Sequence, residues 1–216
     1  MQPPSIFVYL IILKLKSQGE NGGFAKLYNT GKTSHFWYNL GVIISYQGGE
    51  CFKISQSDLG VEKNTTSKIS ADVNVYSGQA NETSDKSGFV ITGPGEYEIK
   101  DIFIKGFLVK EGEHYKTTYL TTFEGIKLCF LGGSNVSEEI EDVDILFVPV
   151  GEDPAAAYKL AVKIEPAVMI PMNYNDKTLA QFIKEGGDKV LPIDKLVVKK
   201  KDLEGKEGEI IILKQE

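Results

Sequence analysis

The chain has 216 residues, of which 42% are hydrophobic and 25% are charged, so it can form one domain with a substantial core. Its formal net charge is −6, and all 24 cationic side chains are lysines, which excludes the arginine forks that commonly bind phosphate and guanine. These properties argue against a nucleic-acid partner, whose recognition needs a basic surface. Two cysteines are too few for a disulfide framework, which favours a reducing, cytoplasmic setting.

Residues 1–40 differ from the rest of the chain. They lack a sustained apolar period, and their one apolar run, SIFVYLIIL, is far shorter than the roughly 20 residues that a membrane helix needs. No membrane span is therefore predicted, and we expect a poorly structured leader followed by one domain at 41–216. One hypothesis is that natural translation begins near Val42; an intact mass that includes residues 1–40, measured on protein from the native host, would contradict it.

The segment between Gly41 and Gly133 has the composition of β-structure. It contains short runs rich in β-branched and aromatic residues, separated by glycine-containing turns: VIISYQ, ECFKIS, ADVNVYS, GFVITGP, EYEIKDIFIKGFLV, YKTTYLTTFEG and IKLCFLGG. Within YEIKDIFIKGF the alternation puts Tyr97, Ile99 and Phe103 on one side and Ile102 and Ile104 on the other. This pattern predicts a pair of strands and not a helix.

After Gly133 the pattern changes to an alternation of strands and helices. VDILFVPVG and AVMIPMNY are apolar runs typical of strands buried on both faces. Asp153 and Pro154 predict the start of a helix through AAAYKLAVKIE, and DKTLAQFIKEGG predicts a second helix that ends at its two glycines. The short runs VLPI, KLVVKKKDL and GEIIILK are predicted to be strands. The chain is thus expected to form one α/β domain of sheets covered by helices, with a β-rich first half and a β-α-β-α second half.

Few side chains in this sequence carry obvious chemistry. The Gly-Pro-Gly of TGPGEYE could cradle a phosphate, but the absence of a following helix favours a tight turn. Only two histidines are present, His35 in the leader and His114 in a polar turn, so an all-histidine zinc site cannot be assembled. Cys129 is predicted to be a core residue and not a nucleophile. The following carboxylates are predicted to be solvated, although they could in principle form an oxygen site for a divalent cation: Glu82, Asp85, Glu96, Glu98, Asp101, Glu111 and Glu113.

The order of these segments resembles the metallo-β-lactamase-fold hydrolases, in particular the bacterial zinc-dependent hydrolase-like branch related to sugar-phosphate lactonases. The resemblance runs from about Val42 to the C-terminus, and GPGEYEIKDIFIKGF and IEPAVMIPMNY are its most specific parts. It implies a four-layer αβ/βα sandwich with one or two metal ions at the edge between the sheets.

The residues that would bind metal in that family are replaced in this chain. The family carries the motif H-x-H-x-D-H after a strand like ADVNVYS, an aspartate after a strand like KLCFLG, and a histidine within a segment like IPMNY. The resemblance places these ligand positions at Gly78, Ala80, Glu82, Thr83, Gly133 and Asn173. Glycine and alanine have no ligand atoms, and threonine and asparagine are poor zinc ligands, so no cofactor is expected unless the family activity is retained with zinc.

Three interpretations follow from this resemblance. The first is a metal-free, catalytically inactive protein, a pseudoenzyme with a binding or structural role. The second is an active metal-dependent hydrolase of a lactone or ester, such as a phosphorylated sugar lactone, that uses Glu82, Asp85 and His114 with one metal. The third is a protein-interaction module, which overlaps the first. The partner is accordingly expected to be a small molecule or a protein, a second copy of the chain included.

Overall fold

The computed structural model describes residues 9–13, 41–57, 73–77, 88–111, 113–187 and 190–216. Within these residues two β-sheets pack face to face, and two helices cover the outer face of one sheet. The predicted α/β class is confirmed, with strands dominating the first half and strand–helix alternation in the second. Both helices of the described part lie on the same sheet, so three of the four expected layers are seen there.

The described residues form thirteen strands and two α-helices. Those of the first half are β1 (Tyr9–Leu13), β2 (Gly41–Gly48), β3 (Cys51–Ser57), β4 (Val73–Tyr76), β5 (Phe89–Ile91), β6 (Gly95–Ile99), β7 (Ile102–Glu111), β8 (His114–Phe123) and β9 (Ile126–Phe130). Those of the second half are β10 (Ile145–Pro149), α1 (Pro154–Ile164), β11 (Val168–Met172), α2 (Asp176–Gly186), β12 (Leu196–Val198) and β13 (Glu209–Ile210). A short 3-10 helix, Lys200–Leu203, replaces the end of the strand predicted over KLVVKKKDL.

The first sheet has six strands in the order β12-β2-β3-β1-β4-β5, and the second has seven in the order β13-β11-β10-β9-β8-β7-β6. Strands β9, β10, β11 and β13 are parallel, whereas β6 to β9 form an antiparallel meander. The carboxyl ends of the parallel strands therefore meet at one edge of the second sheet. Connecting loops at such an edge are a common location for binding sites in α/β proteins.

Strand β1 lies inside the segment that was expected to be poorly structured. Its backbone pairs in parallel with β3 and antiparallel with β4, with Tyr9 opposite both Cys51 and Tyr76. For residues 9–13 the expectation is therefore wrong, because the apolar run supplies a strand to the interior of the first sheet. The rest of the predicted leader, residues 1–8 and 14–40, lies outside the described residues, and the start near Val42 stays a hypothesis.

The β6–β7 hairpin corrects the predicted sidedness of YEIKDIFIKGF. Lys100 and Asp101 form a two-residue turn and both have positive φ, 52° and 62°. Such a turn places Ile99 opposite Ile102, so both point into the core together, while Phe103 lies on the other face and is 50% exposed. Simple alternation across the segment fails because the turn residues interrupt the period of two.

The main core lies between the two sheets. Phe147 of β10 stacks on Phe130 of β9 with ring centroids 4.0 Å apart, and it meets Phe52 of β3 edge-on at 4.6 Å. All three rings are at most 1% exposed. Aromatic pairs of this kind add about 0.5–1.5 kcal/mol to the stabilisation that burial provides, so these rings join the sheets firmly.

The two helices begin and end where the sequence predicts. Asp153 caps α1 by accepting a hydrogen bond from the Ala156 amide at 3.0 Å, and Gly187 ends α2 in the left-handed conformation. A second apolar cluster fills the space between these helices and the second sheet, and the predicted stripe of α1 contributes Ala157, Leu160, Ala161 and Ile164 to it. No helix within the described residues is long and apolar enough to cross a bilayer.

The Gly-Pro-Gly segment is a turn between two strands, as predicted. It connects β5 of the first sheet to β6 of the second. The Gly93 carbonyl accepts hydrogen bonds from the hydroxyls of Tyr97 at 3.1 Å and Tyr119 at 3.2 Å. Cys129 is fully buried in the second apolar cluster, and burial raises the pKa of its thiol to about 12, which agrees with a core role.

Candidate functional site

A polar cleft lies where β9, β10 and β11 end. We call it the carboxyl-end cleft. It has a volume of about 240 Å³ and is lined by residues 131–134 after β9, residues 148–153 at the end of β10, the first turns of α1, and Asn173 after β11, together with Glu50 and Lys116. The loops that follow β9, β10 and β11 thus lie side by side in this cleft, and the β2–β3 turn of the first sheet adds Glu50.

Glu50 is the most unusual group in this cleft. It occupies the turn between β2 and β3 and is only 5% exposed. Its Oε1 accepts a hydrogen bond of 2.9 Å from Nδ2 of Asn173. A carboxylate buried with a neutral partner is costly, because desolvation opposes its charge.

Asn173 connects the two sheets at this point. Its φ of 52° lies in the left-handed region, which asparagine tolerates better than most residues. Its amide nitrogen donates to the Gly49 carbonyl at 2.7 Å, and the hydroxyl of Tyr46 donates to the same carbonyl at 2.9 Å. The side chain of Asn173 is therefore directed at Glu50 by backbone bonds that are independent of that contact.

The electrostatics of the cleft centre on Glu50. Burial raises the pKa of its carboxyl above the ordinary value of 4.5, while the Lys116 ammonium and the Asn173 hydrogen bond each lower the pKa in part. Glu152 and Asp153 also line the cleft and are exposed. A buried carboxyl with a perturbed pKa in a cleft marks a candidate functional site.

The loop after β9 passes very close to β8. The Gly132 amide donates to Oγ1 of Thr118 at 2.9 Å, and a Cβ on Gly132 would lie 2.7 Å from the Thr117 carbonyl oxygen. Only glycine fits at this position. Gly133 follows it at the cleft wall and offers no side-chain ligand.

The structure brings some of the predicted site residues together and leaves others apart. Gly133 and Asn173 both line the carboxyl-end cleft. His114 pairs with Glu111 at the far end of the β7–β8 hairpin, is exposed, and is not among the cleft residues. The remaining predicted positions lie outside the described residues: Gly78, Ala80, Glu82, Thr83 and Asp85.

The described residues do not fit a metal of the family type. Gly133 has no donor atom, and the amide nitrogen of the Asn173 side chain is already directed at Glu50. No group of three or more histidine, cysteine, aspartate or glutamate side chains within the described ranges is arranged to hold a metal ion. The donor set there consequently offers neither the ligand number nor the ligand type that zinc requires.

Sequence reasoning missed Glu50 and Lys116. A signal for Glu50 was present, since a charged residue follows two glycines between strongly apolar strands. Nothing in the sequence indicated that this turn of the first sheet would meet Lys116 of β8 and Asn173 after β11, because the contact joins residues far apart in the chain.

A second groove, of about 550 Å³, lies at the opposite edge of the second sheet. It is formed by residues 165 and 166, Tyr158, Val162, Met169 and the turn before β13. The groove is larger but holds no buried ionisable group. We regard the carboxyl-end cleft as the candidate site, because the buried carboxyl of Glu50 and several polar side chains converge there.

Comparison with known proteins agrees with this fold. A structure from Thermotoga maritima, assigned to the Zn-dependent hydrolases of the metallo-beta-lactamase superfamily, is similar with a TM-score of 0.62 and 23% identity, over 80% of this chain and 98% of that chain. A metallo hydrolase from Ignicoccus hospitalis is similar with a TM-score of 0.51 and 14% identity, over 74% and 99%. At these identities the likeness establishes the fold alone.

The sequence itself places the chain in a family. No curated protein matches the sequence. The profile of the family described as "Beta-lactamase superfamily domain" matches residues 43–173. That span covers more than half of the 216 residues and includes both the Glu50 turn and Asn173. The chain therefore belongs to the beta-lactamase superfamily.

Proposed function

We propose that this protein is a metal-free member of its superfamily that binds a ligand and does not hydrolyse one through zinc. The single observation that carries the proposal is the contact between Asn173 and Glu50. At the position where the family resemblance implies a metal-binding histidine, the chain has an amide whose nitrogen donates to a buried carboxylate.

Two further features support a binding role. The loops that line the cleft have a defined position, because Gly132 packs closely against Thr117 and α1 is capped at both ends. The cleft also contains a buried ionisable group that does not help the fold, because burial opposes the charge of Glu50. A cleft that has a defined shape and contains an unfavourably buried charge is typical of a ligand-binding site.

The partner is proposed to be a small molecule or a protein in a bacterial cytoplasm. The net charge of −6 and the lack of arginine support a partner other than nucleic acid. A second copy of the chain is included among the protein partners.

Metal content tests the proposal. The full chain should be purified without an affinity tag or chelator and analysed by plasma mass spectrometry, with a known zinc hydrolase processed in parallel. We expect less than about a tenth of an equivalent of zinc, manganese or iron, because tight binding requires a complete ligand set. One or two equivalents would overturn the proposal and favour a hydrolase that uses Glu82, Asp85 and His114, to be assayed on lactones and esters.

A further inference from the structure

The carboxyl-end cleft contains acceptor atoms that the described protein does not use. One hydrogen bond reaches the carboxylate of Glu50, from Asn173 to Oε1. Within the described ranges no protein donor reaches Oε2 of Glu50 or the amide oxygen of Asn173. Both residues line the cleft. A ligand that satisfied these two oxygens would have to supply N–H or O–H donors.

The charge of the cleft favours a positive donor near Glu50. Three carboxylates line it, those of Glu50, Glu152 and Asp153, against the one ammonium of Lys116. The N-terminus of α1 does not offset them, because Pro154 has no N–H and Asp153 already accepts from Ala156. A phosphate or a dicarboxylate would therefore be repelled, whereas a protonated amine would be attracted.

Lys116 supplies the opposite charge within the same cleft. It lies close enough to Glu50 to lower the pKa of that carboxyl. No carboxylate of the described residues forms a salt bridge with it, whereas Lys127 and Lys200 each form one and Lys105 forms two. Lys116 is a half-buried residue of the cleft lining, and its ammonium can pair with a carboxylate that a ligand brings.

We propose that the cleft binds a small zwitterion of the amino-acid class, with its ammonium at Glu50 and Asn173 and its carboxylate at Lys116. The volume of about 240 Å³ suits a molecule of that size and not a nucleotide or a peptide. This inference rests on the proposed function, since it assigns the ligand of a cleft that holds no metal.

The test begins with thermal shift on the full chain, using the twenty common L-amino acids singly as probes. Any amino acid that raises the melting temperature is then titrated by calorimetry beside two matched compounds, the corresponding amine without the carboxylate and the corresponding acid without the amine. We expect at least one amino acid to bind, and each matched compound to bind about tenfold or more weakly, because each loses one charged contact. Binding of none of the twenty would overturn the inference, as would equal binding of the amine or of the acid.

Variants locate the site. Glu50→Gln removes the charge that holds the ammonium, and Lys116→Met removes the charge that holds the carboxylate; each should weaken binding by about tenfold to a hundredfold. Glu185→Gln, an exposed carboxylate on α2 that does not line the cleft, is the matched control and should change affinity less than about threefold. Unchanged binding in both Glu50→Gln and Lys116→Met would place the amino acid elsewhere and contradict the inference.

Metal analysis of the same preparation separates the two proposals. Stoichiometric metal would reject the proposed function, and this inference would fall with it. A metal-free chain that binds none of the probes would leave the proposed function standing and reject this inference alone.

Discussion

The two ends of strand β10 each lie beside a buried carboxylate, and the two carboxylates are held in opposite ways. Asp144, just before β10, accepts from the Lys127 amide at 2.8 Å and pairs with the Lys200 ammonium at 2.6 Å. Glu50, in the cleft beyond the other end of β10, has an amide as its hydrogen-bond partner and a lysine that acts through space.

This difference distinguishes a carboxylate that stabilises the fold from one that lies in the candidate site. A carboxylate with a cationic partner and a backbone donor stabilises the structure around it. A carboxylate buried without such partners lowers the stability of the fold, and such groups are found mainly at binding or catalytic sites. The carboxylate at the amino end of the second sheet is accordingly structural, and the carboxyl end is the candidate functional end, although both ends belong to the same strands.

The largest expected effect concerns Phe147, which lies in the middle of β10 and connects both ends. Phe147→Ala should lower the free energy of unfolding by about 3–5 kcal/mol, because it removes a fully buried ring between two sheets. Phe103→Ala, a ring that is 50% exposed, is the matched control and should cost much less. Urea unfolding followed by circular dichroism measures both, and equal losses would contradict the assignment of the core.

The next effect tests the structural carboxylate. Asp144→Asn should lower the free energy of unfolding by about 1–3 kcal/mol, because the Lys127 amide and the Lys200 ammonium each lose a charged acceptor. The same urea titration applies. A variant as stable as the parent chain would show that the amino end does not depend on this ion pair.

Glu50, the carboxylate of the candidate site, should respond in the opposite direction. Burial raises the folded-state pKa of Glu50 above its ordinary value of 4.5, so the folded protein holds this proton more tightly than the unfolded chain. Stability from this group is therefore lost as pH rises from about 4.5 through the folded-state pKa. Glu50→Gln keeps an acceptor for Asn173 without the charge, so it should be more stable than the parent by about 1 kcal/mol at pH 7, with the gain shrinking toward pH 4.

Unfolding curves at several pH values between 4 and 8 would measure this difference. A Glu50→Gln variant that is less stable than the parent throughout this range would contradict the view that the carboxylate is unfavourably buried.

The smallest contrast compares the two lysines. Lys200→Met should cost about 1 kcal/mol, a modest figure because Lys200 is 48% exposed and its ion pair is partly screened. Lys116→Met should cost less than Lys200→Met, since Lys116 acts on Glu50 only through space and forms no salt bridge with a described carboxylate. Thermal or urea unfolding of the two variants side by side measures this difference. A larger loss of stability in Lys116→Met than in Lys200→Met would show that the carboxyl end of the second sheet also has a structural role.

Much of the fold was predictable because its signals are local. The cap at Asp153, the glycines that end α2, and the apolar runs of β10 and β11 are each read from a few neighbouring residues. Where local reasoning failed, a tertiary or turn effect was responsible: positive φ at Lys100 and Asp101 reversed the sidedness of the β6–β7 hairpin, and pairing with β3 and β4 gave residues 9–13 a place in a sheet.

The candidate site divides in the same manner. The sequence by itself determined the α/β class and the residue types at Gly133 and Asn173, where the family resemblance implies metal ligands, because side-chain chemistry and periodicity are properties of single residues and their near neighbours. Only the tertiary structure decided that Asn173 meets Glu50, 123 residues away in the chain, and that Lys116 shares their cleft. That convergence arises from the packing of two sheets whose turns and strand ends meet at one edge, and no local pattern encodes it.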